Sequence, residues 1–361
     1  MCHFKQLVDF PDNRGSGLRE KARSRRQTQS TAVDRVATPS QAAADRDWRD
    51  TLTEVRLDGR VALVTGAGRG LGRAHARLLA AHGARVVVND PGVGLGGEGG
   101  DQAPARDVVA EIEAAGGSAV ANFDTVATED GARAMIRQAI DSFGRIDIVV
   151  NNAGNFYTRH GFDETSPESF AHIWQVHVIG SVNVIRAAWP HMVAQKYGRI
   201  INTASHTGYL GSRNNLEYSA AKAAIHGITR TLSLEAGDHN IAVNAIAPGA
   251  VTRPVRLIPG ILDMMPAGAF EPELVAPTVV WLAHEDCKVT GEIFGVMAGT
   301  TTRIKVVETP GYCSRNPTPE AIRDAFEDVI LDQRRFDAAG LVIGKEAELR
   351  GMDLVERFTA S

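Results

Sequence analysis

From Leu57 onward, short unbroken apolar runs alternate with longer stretches whose apolar positions recur at helical spacing. The runs predict seven strands, at 61–65, 85–89, 119–123, 146–151, 199–204, 241–246 and 292–297. The stretches between them predict helices near 70–82, 104–115, 129–143, 167–196, 217–237 and 271–284. A strand with no polar alternation has both faces covered, and strands separated by helices run parallel. The pattern therefore predicts an α/β fold, a doubly wound parallel sheet of about seven strands with helices on both faces. Ligands of such sheets bind beyond the carboxyl ends of the strands, so the residues just after each run matter most.

Both ends of the chain depart from this pattern. Residues 1 to about 52 are rich in Arg, Gln, Ser, Thr and Asp, with a charged run from Arg19 to Arg26. Residues 1–50 carry ten basic and seven acidic side chains, a net +3 against −7 for the remainder. So little apolar surface predicts a disordered extension. It lacks the apolar stretch of a secretory signal, and its acids are unlike a transit peptide. A start codon assigned too early and a basic tether to an anionic partner are the other readings. After Gly299 some sixty residues follow, forming a C-terminal extension over 301–361. Within it, Pro317 to Arg335 predicts an amphipathic helix with Thr318 as N-cap and Pro319 at N1. Its apolar face, Ile322, Phe326 and Ile330, must pack on its own domain or on a neighbouring subunit.

Composition narrows the setting. A 361-residue chain that is 43% hydrophobic can bury a sizeable core, and a net charge of −4 gives no general pull toward nucleic acid. Cys2, Cys287 and Cys313 form neither a metal spacing nor an even disulfide set, which suits a reducing cytoplasm and no metal. His284-Glu285-Asp286-Cys287 gathers ligand types, but adjacent residues rarely converge on one ion. No apolar run approaches the ~18 residues of a membrane span.

The first strand runs straight into Gly66-Ala67-Gly68-Arg69-Gly70-Leu71-Gly72, and a helix follows. That order is what a dinucleotide fingerprint requires: the glycines let backbone approach a pyrophosphate, which rests on the helix N-terminus. The second strand ends in Asp90, eighteen residues after Gly72. A carboxylate there accepts hydrogen bonds from ribose hydroxyls and repels a 2′-phosphate, so NAD is expected over NADP. Arg69 argues weakly the other way, as a cation able to pair with that phosphate. The second glycine-rich stretch, 92–100, has the composition of a surface loop.

Tyr218 and Lys222 stand four residues apart, on one face of a predicted helix, with Ser205 thirteen residues before Tyr218. A phenol titrates near pH 10, so acid–base work at neutral pH needs a nearby cation to favour the phenolate. The Ser205 hydroxyl would hold a substrate oxygen while Tyr218 exchanges a proton with it. A snorkelling lysine beside a half-buried tyrosine is the plainer account of the pair taken alone.

Five motifs in order, Thr65–Gly72, Asn151–Gly154, Ser205, Tyr218–Lys222 and Pro248-Gly249, resemble those of the short-chain dehydrogenase/reductase family. The resemblance spans roughly residues 53 to 340. It is greatest to the (3R)-hydroxyacyl-CoA dehydrogenase domain of type-2 peroxisomal multifunctional enzymes and to stand-alone bacterial relatives. It rests there on Val87–Asp90, Ala119–Asp124, Arg186–Trp189, Gln195–Ile201, Trp281–Glu285 and Thr318–Ala321. The resemblance implies a Rossmann-like NAD-binding domain over 53–300 and a homodimer or homotetramer. It implies that Asp124 and Thr125 meet the adenine and that Asn152, Ala153 and Gly154 line the cofactor cleft. Lys222 would also hold the nicotinamide ribose, while Pro248, Gly249, Val251 and Thr252 would bracket the nicotinamide amide. Many members carry an asparagine on the fourth helix that holds a water linked to the lysine. This chain has His177 there, either as a replacement for that asparagine or as an ordinary core histidine.

Three loops remain for substrate: 155–166, 206–216 and 250–270. The last carries Leu257, Ile258, Ile261, Leu262, Met264 and Met265, which suit either an apolar lid or a helix pair closing the core. The expected substrate is a (3R)-3-hydroxyacyl-CoA oxidised to the 3-oxo form, with a steroid alcohol as the alternative. Arg159, Arg253, Arg256 and Arg303 are the candidates for CoA phosphates. A non-catalytic nucleotide-binding protein is the rival of another class. A hydrolase is disfavoured because no Gly-x-Ser-x-Gly elbow occurs.

Overall fold

The structure, a computed structural model, describes residues 54–94, 98–155, 161–256, 260, 266–306 and 311–326. The expected N-terminal extension, Arg159, the six apolar lid residues and the helix beyond Phe326 lie outside the described residues.

Eight strands form one sheet: β1 (Val61–Thr65), β2 (Arg85–Asn89), β3 (Ser118–Asn122), β4 (Ile148–Asn151), β5 (Gly198–Thr203), β6 (Ile241–Gly249), β7 (Ile293–Met297) and β8 (Thr300–Ile304). Their order is β3-β2-β1-β4-β5-β6-β7-β8, and every pair is parallel except β7 with β8. The eighth strand corrects the expected seven. It returns antiparallel from β7 through Ala298 and Gly299, whose φ angles of 48° and 70° are the left-handed pair that a tight hairpin uses. Thr300–Arg303 are exposed, so this edge strand lacks the apolar run that betrays the others.

All five residues of β1 are buried, and alternate ones face opposite ways. Ala62 and Val64 join one apolar cluster under helices α1 (Gly70–Ala81) and α2 (Ala103–Ala114). Val61 and Leu63 join a second under α3 (Glu129–Phe143). Thr128 caps α3 by accepting from Gly131 N–H at 3.2 Å, and Gly144 ends it at φ 83°. The two-sided burial is why the strands read as unbroken apolar runs.

The stretch expected as one helix over 167–196 is interrupted. It comprises α4 (Pro167–Trp174), a π-helical turn over Gln175–Ile179, and α5 (Gly180–Gln195). Pro167 and the Ser166 cap, which accepts from Ser169 N–H at 3.0 Å, start α4 as their residue types dictate. The remaining helices are α6 (Thr207–Leu210), α7 (Leu216–Glu235), α8 (Arg253–Arg256), α9 (Ala276–Ala283) and α10 (Pro319–Ala325). Thr318 caps α10 as expected, accepting from Ala321 N–H at 3.2 Å. No helix among the described residues is long and apolar enough to cross a membrane.

Candidate active site

The strand order reverses between β1 and β4, and a cleft of about 610 Å³ opens beyond their carboxyl ends. One side chain stitches that point together. Thr65 Oγ1 accepts from the N–H groups of Asn152 and Ala153, each at 3.0 Å, and Asn152 Nδ2 donates to Thr65 O at 2.8 Å.

The glycine turn depends on close approach. At Gly72 a Cβ would overlap Gly66 O and stand 2.6 Å from Asn152 Nδ2; Gly66 itself has φ 63°. Asp90 anchors the turn from β2: its carboxylate accepts from Gly68 N–H and Gly92 N–H, both at 2.8 Å. Helix α1 begins here with no side-chain cap and no acid in its first turn. Its first N–H groups are thus left for an anion. A glycine cradle, an uncapped helix start and an aimed carboxylate fit a dinucleotide.

The catalytic candidates meet in the same cleft. Tyr218 and Lys222 occupy the first turns of α7, both in the cleft wall. Lys222 Nζ lies 5.5 Å from the Tyr218 ring centroid and donates to Thr203 O at 2.6 Å. Lys222 is buried, and that burial pulls its pKa down to about 7. Gly208 lets α6 press against α7 here, since a Cβ would stand 2.8 Å from the Lys222 carbonyl carbon. Ser205 lies between Thr203 and Thr207, which line the cleft. Its oxygen accepts from Thr207 N–H at 3.3 Å and Thr207 Oγ1 at 3.2 Å, leaving its own proton to donate.

His177 sits in the π turn, buried against Gly154, where a Cβ would come 2.6 Å from the His177 Cε1. Its Nε2 is 3.0 Å from Asn155 O, a pairing that puts the proton on Nε2. Nδ1 is buried and has no partner among the described residues. Burial, reinforced by the charge of Lys222, lowers its pKa to about 3, so the ring is neutral.

Most of the expected site residues line this cleft: Gly66, Arg69, Gly70, Leu71, Gly72, Asp90, Thr125, Asn152, Ala153, Gly154, His177, Tyr218, Lys222, Pro248 and Thr252. Gly249 and Val251 are chain neighbours of lining residues, and Ser205 is two positions from each of Thr203 and Thr207. Asp124 stands behind Thr125, its carboxylate taking a 2.8 Å hydrogen bond from Asn122 Nδ2. All three expected substrate loops contribute, through Asn155, Thr207, Asn215, Ala250, Arg253 and Val255. Among the arginines named for CoA, Arg253 lines the cleft, whereas Arg303 is paired with the buried Glu292. His172 and Asn215 were not singled out from sequence. Nothing but their positions ahead of the π turn and at the start of α7 hints at them. No cluster of metal-ligand side chains occurs among the described residues.

The short chain dehydrogenase family model matches residues 60–256. The mouse protein named peroxisomal multifunctional enzyme type 2 is 45% identical over 279 residues, 76% of this chain and 37% of that protein. The chain thus spans little more than a third of that relative's length. A putative short-chain type dehydrogenase/reductase of Mycobacterium tuberculosis is 43% identical over 71% of this chain and 88% of its own length. The crystal structure of a short chain dehydrogenase from Mycobacterium avium superposes with a TM-score of 0.68 at 38% identity, covering 80% of this chain and 99% of that one.

Proposed function

The chain belongs to the short-chain dehydrogenase family, an oxidoreductase acting on CH–OH groups, and on that premise we propose that it interconverts a (3R)-3-hydroxyacyl-CoA and the 3-oxoacyl-CoA with NAD. One observation carries the reading: Tyr218, with Lys222 Nζ 5.5 Å from its ring, shares a cleft with the glycine turn and Asp90. A bound nicotinamide would supply the hydride acceptor.

The chain's own groups handle the proton. Ser205 donates its hydroxyl proton to the substrate oxygen and fixes its place. Tyr218 as phenolate takes the alcohol proton, and in the reverse direction returns it to the ketone oxygen. Lys222, while protonated, favours the phenolate; with a pKa near 7 it also passes protons near neutrality. His177 Nδ1, an acceptor without a partner among the described residues, holds a water that links Lys222 to solvent. Gly66–Gly72 cradle the pyrophosphate, and Asp90 receives the ribose hydroxyls and disfavours a 2′-phosphate. Asp124 and Thr125 border the adenine. Pro248, Gly249, Val251 and Thr252 bracket the nicotinamide.

The acyl-CoA substrate rests on likeness to the type-2 multifunctional enzymes, and a homodimer or homotetramer in a reducing cytoplasm completes the reading. Supplying NAD with (3R)- and (3S)-3-hydroxyacyl-CoA and with hydroxysteroids, and following absorbance of the reduced coenzyme, tests it. Turnover of the (3R) thioesters is expected. Turnover of steroids alone would replace the substrate, and NAD binding with no turnover would leave a nucleotide-binding protein.

A further inference from the structure

Arg69 and Arg253 both line the cleft, one on the glycine turn and the other at the start of α8. Their chain neighbours meet across it, since a Cβ on Gly70 would lie 3.5 Å from Thr252 Cγ2. Arg69 and Arg253 therefore leave the chain beside the contact that joins the turn to the segment opposite. Arg69 Nη1 is buried and finds no partner among the described residues. Arg253 keeps much of its surface in solvent, yet its pKa is lowered, first by withdrawal from water and then by Arg69, while Asp90 opposes both. Asp90, held by Gly68 N–H and Gly92 N–H, offsets part of this charge with its single carboxylate. Two like charges and an unmet donor at one place call for an anion of more than one charge. Arg69 itself opens α1, whose start carries no side-chain cap.

We propose that Arg253 joins Arg69 in a two-arginine clamp on the pyrophosphate of the bound dinucleotide. This rests on the cofactor reading of the cleft and not on the substrate. Arg253 is then a cofactor residue rather than a CoA-binding one. The planar fork of each guanidinium suits paired hydrogen bonds to phosphate oxygens, from opposite sides of the anion.

Calorimetric titration of the full chain and of Arg253→Gln, Arg253→Lys and Arg69→Gln with adenosine, ADP, NAD, NADP and CoA tests the clamp. Arg253→Gln should bind ADP and NAD roughly ten- to hundredfold more weakly, with adenosine unchanged. Arg253→Lys should recover part of the loss. The parent's ADP affinity should fall more steeply with added salt than that of Arg253→Gln. Equal weakening of adenosine would make Arg253 a shaping residue. Loss confined to NADP would assign it to the 2′-phosphate, and loss confined to CoA to the substrate; unchanged affinities would also end the proposal. If a variant fails to fold, an ADP affinity of the parent that ignores salt overturns it equally. An intact clamp in a protein that oxidises no hydroxyacyl-CoA would leave this inference standing and remove the substrate reading.

Discussion

The His177 imidazole and the Tyr218 ring pack in a T-shaped pair, with centroids 5.4 Å apart and planes at 86°. The π turn over Gln175–Ile179 places the imidazole there, between Gly154 and the helix that bears the tyrosine. Its neutral state, and an Nδ1 without a partner among the described residues, make it an acceptor whose ring feels the charge of Lys222. His177→Asn keeps an acceptor and should hold turnover within about tenfold, whereas His177→Phe removes it and should lower turnover ~100-fold. Steady-state rates with NAD decide the point. Equal losses in both variants, or none in the phenylalanine variant, would return His177 to ordinary packing.

Tyr218→Phe removes one oxygen and keeps the ring against His177. Turnover should fall by about 10³-fold, within the usual range for a lost acid–base group, while NAD affinity stays near that of the parent. Full activity in this variant would refute the assignment of Tyr218.

Asp90→Ala withdraws both the charge facing a 2′-phosphate and the acceptor of Gly68 and Gly92 N–H. Preference for NAD over NADP should relax by at least about tenfold, and the melting temperature should drop as two backbone donors lose their partner. Measuring kcat/KM with each coenzyme checks it; an unchanged ratio would count against Asp90 as the selector.

His75 is fully buried on α1, both ring nitrogens lack partners among the described residues, and burial lowers its pKa from 6.5 to about 3. Between those values the unfolded chain holds a proton that the folded chain does not. Stability therefore falls as pH drops through this window, approaching about 1.4 kcal/mol per pH unit. His75→Leu should flatten that acid limb and stabilise the protein at pH 5, as read from urea unfolding between pH 7 and 4.5. Parallel curves for parent and variant would show that His75 is not the group involved.

The inner strands were legible because they are buried on both faces, and the glycine motif was legible because strand, glycine turn and helix are contiguous. The eighth strand was not. Thr300–Arg303 show solvent on the edge of the sheet, so no apolar run marks them, and its turn forms at Ala298 with an unusual positive φ. The π turn escaped as well, since the apolar spacing of 167–196 continues across it. Arg253 is a candidate for CoA phosphates on sequence, and nothing local shows that its neighbour Thr252 lies against Gly70 of the glycine turn.

The chain's own order of residues determined the layered parallel sheet, the glycine turn with Asp90, and the one-turn spacing of Tyr218 and Lys222. These depend on neighbours within a few positions or on burial that leaves a periodic trace. Only the folded structure decided that Lys222 is buried to a pKa near 7, that His177 packs at right angles to Tyr218, and that Arg69 and Arg253 line one cleft. Desolvation and contact between distant segments arise from packing in three dimensions, and no local pattern encodes them.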